Sequence, residues 1–313
     1  MELGIYIRSG VTFKGMLDLT LHAEKLGYFG VFLNDHVHGF ADNGKESYLE
    51  AWTAMTGIGV KTSKIRIGHI VLFNSLRNPA FLAKSISALD NMTNGRYELL
   101  IGAGWNSPEY EGYDLMEQGR GMPDAGERVE RFEEALHILR GMLTKEEFSF
   151  EGKYWILKNA YNVPLPIQKS MRITVGADKP RMIGLTAKLA DGLNTGGGLD
   201  SLSKKIDLLD SSAKKYGKTK DDYFISGFSG FQIAKNHEEY NNLAKKASKG
   251  SKKSVEEIKE NAFIGTPEIL VDKLRKASDL GVKMIVIAPR PYNNLDEFKN
   301  NLNILHDKIK SQL

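Results

Sequence analysis

Residues Asn94 to Glu109 read NGRYELLIGAGWNSPE. A turn signal at Asn94-Gly95 precedes an apolar run, Tyr97 to Ile101, which ends in Gly102-Ala103-Gly104. The pattern predicts a buried strand that opens directly into a glycine-bearing loop. Glycines in such a loop remove the Cβ atoms that would keep a phosphate or a flat ring away from backbone N–H groups. Ser107 stands where the third glycine of a dinucleotide fingerprint would be, so the stretch alone also fits a plain tight turn.

The same strand–loop–helix unit recurs on both sides of it. Strands are predicted over Leu3–Ile7, Phe29–Leu33 and Ile65–Leu72, with helices at Phe13–Leu26, Tyr48–Lys61 and Pro79–Met92 between them. After a polar segment at Asn106–Gly126, long enough to be a lid or binding loop, comes an amphipathic helix at Glu127–Met142. Phe148–Leu157 alternates around Gly152 and predicts a hairpin excursion. Four more strands are expected at Arg172–Val175, Gly192–Thr195, within Phe224–Ala234, and at Lys283–Ala288. Eight strands alternating with helices predict a (β/α)8 TIM barrel of class α/β with insertion segments, forming one domain over residues 1–313; a doubly wound open sheet is the alternative.

Composition narrows the chemistry. The chain has no cysteine, which excludes thiol catalysis and cysteine-ligated zinc or iron–sulfur clusters. A net charge of +4, with basic and acidic residues interleaved, gives no reason to expect nucleic acid as a partner. The lysine-rich stretch at Lys245–Lys253 reads as a solvated loop. No run is long and apolar enough for a membrane span and the first residues read as a strand, so a soluble cytoplasmic protein with a small-molecule substrate is expected.

In a barrel, reactive groups gather at the C-terminal ends of strands. That rule selects Arg8 and Ser9, Asn34 to His36, His69 to Asn74, Gly102 to Asn106, Gly176 to Lys179, Gly196 to Gly198, and Arg290. Gly176-Ala177-Asp178 and Gly196-Gly197 are candidates to cradle a cofactor phosphate. Asp35-His36 is the sharpest acid–base pair, because a carboxylate beside a histidine can orient it and tune it for proton transfer. His36, His38 and Asp35 could together meet a metal, but only His69 offers further support at another strand end, so no metal is assigned. Trp105 could equally stack on a ring or cover the barrel mouth.

In order and spacing, HAEKLGYFGVFLNDH, the stretch from IRIGHIVLF to GAGWNSPEYEGY, RVERFEEALHILRGML, FEGKYW, ITVGADKPRMIGLTAKLADGLN and IGTPEILVDKLRKASDLGVKMIVI resemble the luciferase-like (bacterial luciferase) flavin and deazaflavin oxidoreductases. The Asp-His after the second strand and the GAGW loop are similar to the branch that uses coenzyme F420, with FMN-dependent two-component monooxygenases as the alternative. The resemblance implies that Asp35 and His36 flank the deazaflavin, with His36 moving the proton. It implies that His69, Ile70 and Val71 back the ring through a bulge with a non-prolyl cis peptide. Gly102, Ala103, Gly104, Trp105, Gly176, Ala177, Asp178, Lys179, Gly196 and Gly197 would hold the rest of the cofactor, and Arg8, Phe40 and Trp105 would meet the substrate. A homodimer is implied as well. Asn34 stands where serine commonly precedes Asp-His. Phe40 and Trp105 stand where the family's sugar-phosphate dehydrogenases carry a tryptophan and an acid, which argues against sugar-phosphate oxidation. A reductive role, as in the methanopterin reductases that share the Asp-His, stays open.

Overall fold

A computed structural model describes residues 1–40, 42–289 and 294–313. Eight parallel strands close into a barrel: β1 (Glu2–Ile7), β2 (Gly30–Leu33), β3 (Arg66–His69), β4 (Tyr97–Gly102), β5 (Ile173–Gly176), β6 (Gly192–Gly196), β7 (Phe224–Ile233) and β8 (Val282–Pro289). Each pairs with the next, β8 pairs with β1 at Leu3↔Ile285, and β6 with β7 at Leu193↔Ile225 completes the ring. The open-sheet alternative is thereby excluded. Arg290, one of the expected rim residues, lies outside the described residues.

The strands are buried on both faces because helices wrap the outside while side chains fill the inside. Every residue of β2 and β4 is buried. The interior is small and is built on Phe32, Ile70, Leu100, Met284 and Val286. Phe32 fits there because Gly4 and Gly68 leave room; a Cβ on them would lie 2.7 and 3.0 Å from its ring. At the N-terminal end of the barrel Glu98 is buried on β4 and ion-pairs with Arg66 and Arg172, so its charge is matched where water is scarce.

Boundaries depart from the sequence expectation where side chains intervene. The second helix starts at Ala51, not Tyr48, because the Glu50 carboxylate caps it, accepting from the amides of Trp52 (3.1 Å) and Thr53 (2.7 Å). The third strand breaks after His69: Ile70–Val71 is a cis peptide, and Leu72–Phe73 rejoins the sheet beside β4 at Leu72↔Ile101 and Phe73↔Gly102. The excursion is an antiparallel hairpin, Glu147–Glu151 with Ile156–Tyr161. The polar segment after β4 is not wholly loop; Ser107–Gly112 forms a short helix whose Glu109 and Tyr110 are buried. Among the described residues no helix is long and apolar enough to cross a membrane.

Candidate active site

A cavity of about 610 Å³ opens at the C-terminal end of the barrel, within the range of small-molecule and cofactor sites. Its apolar floor is Ile70 to Phe73, the segment that leaves β3 through the cis peptide. Gly102 to Trp105 and Gly176-Ala177 form walls, and Asp35 and His36 lie at one side. Asp178, Lys179, Thr195 and Gly196 line another part, together with Arg128 and Arg181 from the first turns of helices Ala125–Met142 and Pro180–Leu189.

The carboxylate that orients His36 is not its neighbour Asp35. Glu109, fully buried on the short helix after β4, places Oε2 2.8 Å from Nδ1 of His36 and accepts from the Val37 amide through Oε1 at 2.8 Å. Burial pushes the Glu109 carboxyl up; the hydrogen bond and charge of His36 and the Val37 amide oppose it, and the group is held below its ordinary value. An ionised carboxylate only accepts, so Nδ1 of His36 is the donor to Glu109, and Nε2 is the ring nitrogen left to exchange a proton with a bound molecule.

Asp35 serves a different partner. Its Oδ1 and Oδ2 accept from Arg77 at 2.9 and 2.6 Å, and Oδ2 also accepts from the Phe73 amide at 2.8 Å. Arg77 reaches on to Glu50 at 2.6 Å. This charge network ties the end of β2 to the floor that follows β3, so Asp35 holds a frame and does not share a proton with His36. The expectation of a catalytic Asp35-His36 pair is corrected accordingly.

His69 is likewise displaced from its expected role. Its ring is fully buried, away from the cavity, with Nδ1 3.0 Å from the Tyr97 hydroxyl, Nε2 3.2 Å from the Ala51 carbonyl and one face stacked on Trp52. Burial pushes its pKa down to about 4. A strand alternates its side chains, so with Ile70 turned to the barrel interior His69 faces the helices.

The glycines do two kinds of work. At Gly104 φ is +85° and a Cβ would lie 1.9 Å from the Phe73 ring; Cβ atoms on Gly102 and Gly176 would meet Val71 at 3.0 and 2.8 Å. These three are required by packing against the floor. At Gly196 a Cβ would find only the Phe228 carbonyl oxygen, at 3.6 Å, so this stretch leaves backbone open to the cavity. Gly197, in the left-handed region at φ +118°, lies behind it against Ser201 and is not part of the lining. Asp178 is no ligand for an anion: it accepts from Thr195 (2.8 Å), the Gly196 amide (3.3 Å) and Lys205, joining the β5 and β6 loops.

Of the expected substrate residues, Arg8 is paired with Glu46 at 2.6 Å and is not in the cavity lining. Phe40 and Trp105 do flank His36, with ring centroids 4.6 and 5.8 Å from it. Asn34 fastens the neighbouring strand ends, accepting from Tyr6 at 3.0 Å and donating to Tyr48. Glu109, Arg77, Arg128 and Arg181 were not singled out from the sequence. Glu109 lies within the quoted stretch, but an acid three residues into a polar segment carries no sign of where it points. His36 and His38 turn to different partners, Glu109 and the Gly39 carbonyl.

Comparison with known proteins agrees with this architecture. An F420-dependent glucose-6-phosphate dehydrogenase of Microbacterium testaceum is 31% identical over 212 residues, covering 66% of this chain and 60% of that protein. A Gordonia bronchialis enzyme of the same name is 29% identical, covering 62% and 56%. The chain thus spans less than two thirds of the length of these relatives. Among solved structures, an F420-dependent secondary alcohol dehydrogenase in complex with an F420–acetone adduct superposes with a TM-score of 0.82 at 19% identity, covering 100% of this chain and 99% of the other. The F420-dependent tetrahydromethanopterin reductase of Methanopyrus kandleri gives 0.79 at 17%, covering 99% and 98%. An FMN-bound type II Baeyer–Villiger monooxygenase of Pseudomonas putida gives 0.75 at 18%, covering 100% and 99%. The sequence model of the luciferase-like monooxygenases matches residues 1–284, and the chain belongs to that family.

Proposed function

We propose that this protein is a coenzyme F420-dependent oxidoreductase that moves a hydride between the deazaflavin and a small organic substrate. The observation that carries this reading is His36: its Nδ1 is anchored on a buried carboxylate while the ring borders a cavity with an apolar floor and a cationic side. The residues present fit the cofactor. Ile70, Val71 and Leu72 would back the ring, and Gly102 to Trp105 with Gly176-Ala177 would flank it. The phosphate would meet Lys179, Arg128 and Arg181, the open backbone near Gly196, and the start of helix Pro180–Leu189, which has no side-chain cap on its free amides. When bound, F420 supplies the hydride acceptor or donor. His36 supplies the proton chemistry: Nε2 takes the proton of a substrate hydroxyl, or returns it in reduction, and Glu109 stabilises the imidazolium so formed.

The 31% identical relative and the Asp35-His36 motif support F420 over FMN. Titration with each cofactor, followed by absorbance and fluorescence, tests the choice; tight FMN binding without F420 binding would overturn it. The reading extends to one barrel domain over residues 1–313, supported by a core cluster that runs from Leu3 to Ile309, and to a cytoplasmic homodimer. Exposed Phe81, Met92, Ile156, Tyr161 and Val163 support the dimer as apolar surface available for a second copy. A single calorimetric transition, light scattering and cell fractionation test these three points.

A further inference from the structure

One carboxylate lies where an anion is to be held. Arg128, Lys179 and Arg181 line that part of the cavity, and Asp178 lines it with them. The other acid in the described lining, Asp35, is at the His36 side and is paired with Arg77. The Asp178 side chain is 60% exposed. A bare carboxylate there would repel a phosphate, and the low dielectric of a cavity makes that repulsion stronger than in bulk water.

Lys205 answers this charge from behind. It stands on helix Leu199–Ala213, outside the cavity lining, and its largely buried ammonium pairs with Oδ1 of Asp178. The same ammonium donates to the Gly196 carbonyl at 2.8 Å, which also accepts from the Ser201 hydroxyl at 3.2 Å. Oδ1 of Asp178 in turn accepts from the Gly196 amide at 3.3 Å and the Thr195 hydroxyl at 2.8 Å. Gly196 is thereby fastened through both its N–H and its C=O. Partial burial raises the Asp178 carboxyl; hydrogen bonds from Lys205 and Thr195 and the Lys205 charge oppose it, and the group is held below its ordinary value. It is therefore ionised at neutral pH. The bonds from Thr195 and Gly196 need only an acceptor oxygen, which an amide also supplies, so the charge of Asp178 is separable from its part in the frame.

We infer that Lys205 is the positioning residue of the anion end: from outside the cavity it neutralises Asp178 and pins the Gly196 peptide, so that Arg128, Lys179 and Arg181 act on a phosphate group without an opposing charge. The inference rests on the cofactor reading above, in which a phosphate-bearing ligand occupies this end.

The test is a double-variant cycle on the full chain with Lys205→Met and Asp178→Asn. F420 affinity is read by fluorescence titration, and the affinity for inorganic phosphate, with no cofactor present, by phosphorus NMR. Lys205→Met should weaken both about tenfold at low salt, and the deficit should shrink in about 1 M salt. Asp178→Asn keeps the Oδ1 acceptor and loses the charge. Alone it should tighten phosphate binding about threefold, and added to Lys205→Met it should return both affinities to within about threefold of wild type. Wild-type affinities in Lys205→Met would overturn the inference. So would a double variant as weak as Lys205→Met, which would leave Lys205 a purely structural tie. If Lys205→Met does not fold, Asp178→Asn decides alone, because unchanged or weaker phosphate binding in it overturns the inference as well. A wild-type chain that binds phosphate and not F420 strikes the cofactor assignment, and the cycle is then decided with phosphate; binding of neither overturns both.

Discussion

His36 and Glu109 are 73 positions apart in sequence and 2.8 Å apart in the fold. The contact leaves one histidine nitrogen committed and the other free, and it is the geometric basis for assigning the proton chemistry. Replacing Glu109 by Gln removes the charge that fixes the tautomer, so kcat should fall about 100-fold with F420 affinity little changed. Because the folded carboxyl titrates below its ordinary value of 4.5, its stabilising contribution is full above that pH and is lost as pH falls through the lower folded value. Denaturant titrations should therefore show a shallower acid-side loss of stability in Glu109→Gln than in wild type.

Asp35 is 1% exposed and depends on Arg77 for its counter-charge. Arg77→Met strands a buried carboxylate, and unfolding in urea should register a loss of about 3–5 kcal/mol. Adding Asp35→Asn removes the stranded charge and should recover part of that loss.

Gly104→Ala places a methyl group 1.9 Å from Phe73 at a residue with φ +85°. Strain and overpacking together should lower stability by about 1–3 kcal/mol. The cavity floor should shift with the Phe73 ring, so calorimetry and a cofactor titration should both report the change.

His69 is held neutral by burial, with its pKa pushed down to about 4 from 6.5. The unfolded chain binds a proton there that the folded chain refuses, so stability rises with pH across this interval and falls as pH drops from about 6.5 towards 4. The loss attributable to this residue is roughly 3 kcal/mol. His69→Gln, which cannot titrate, should flatten that part of the profile measured by denaturant unfolding.

Lys179 and Arg181 line the cavity at a helix start. Paired replacement by Met should weaken F420 binding about tenfold or more at low salt, and the deficit should shrink as salt screens the wild-type attraction. FMN binding with the opposite preference would count against F420.

The sequence by itself determined a helix-wrapped parallel sheet, with a barrel as its best reading, while closure was decided by the pairing of β8 with β1. Apolar runs such as GVFL at Gly30–Leu33 and YELLI at Tyr97–Ile101, each followed by turn residues and a periodic helix, can bury both faces only in such a sheet, and the sequence has eight of them. Because barrel strands deliver their ends to one rim, it also put His36, the Ile70-Val71 bulge and the glycine loops in one neighbourhood. What it could not give was which charges meet. Asp35 is adjacent to His36 in sequence, yet successive residues at a strand end point in different directions, and the carboxylate goes to Arg77. Glu109 comes to His36 only because the polar segment after β4 turns into a short helix, and His69 is sent to the core by strand alternation. Period and composition record which face of an element is apolar; ion pairing depends on distances between elements, and those exist only once the barrel has closed.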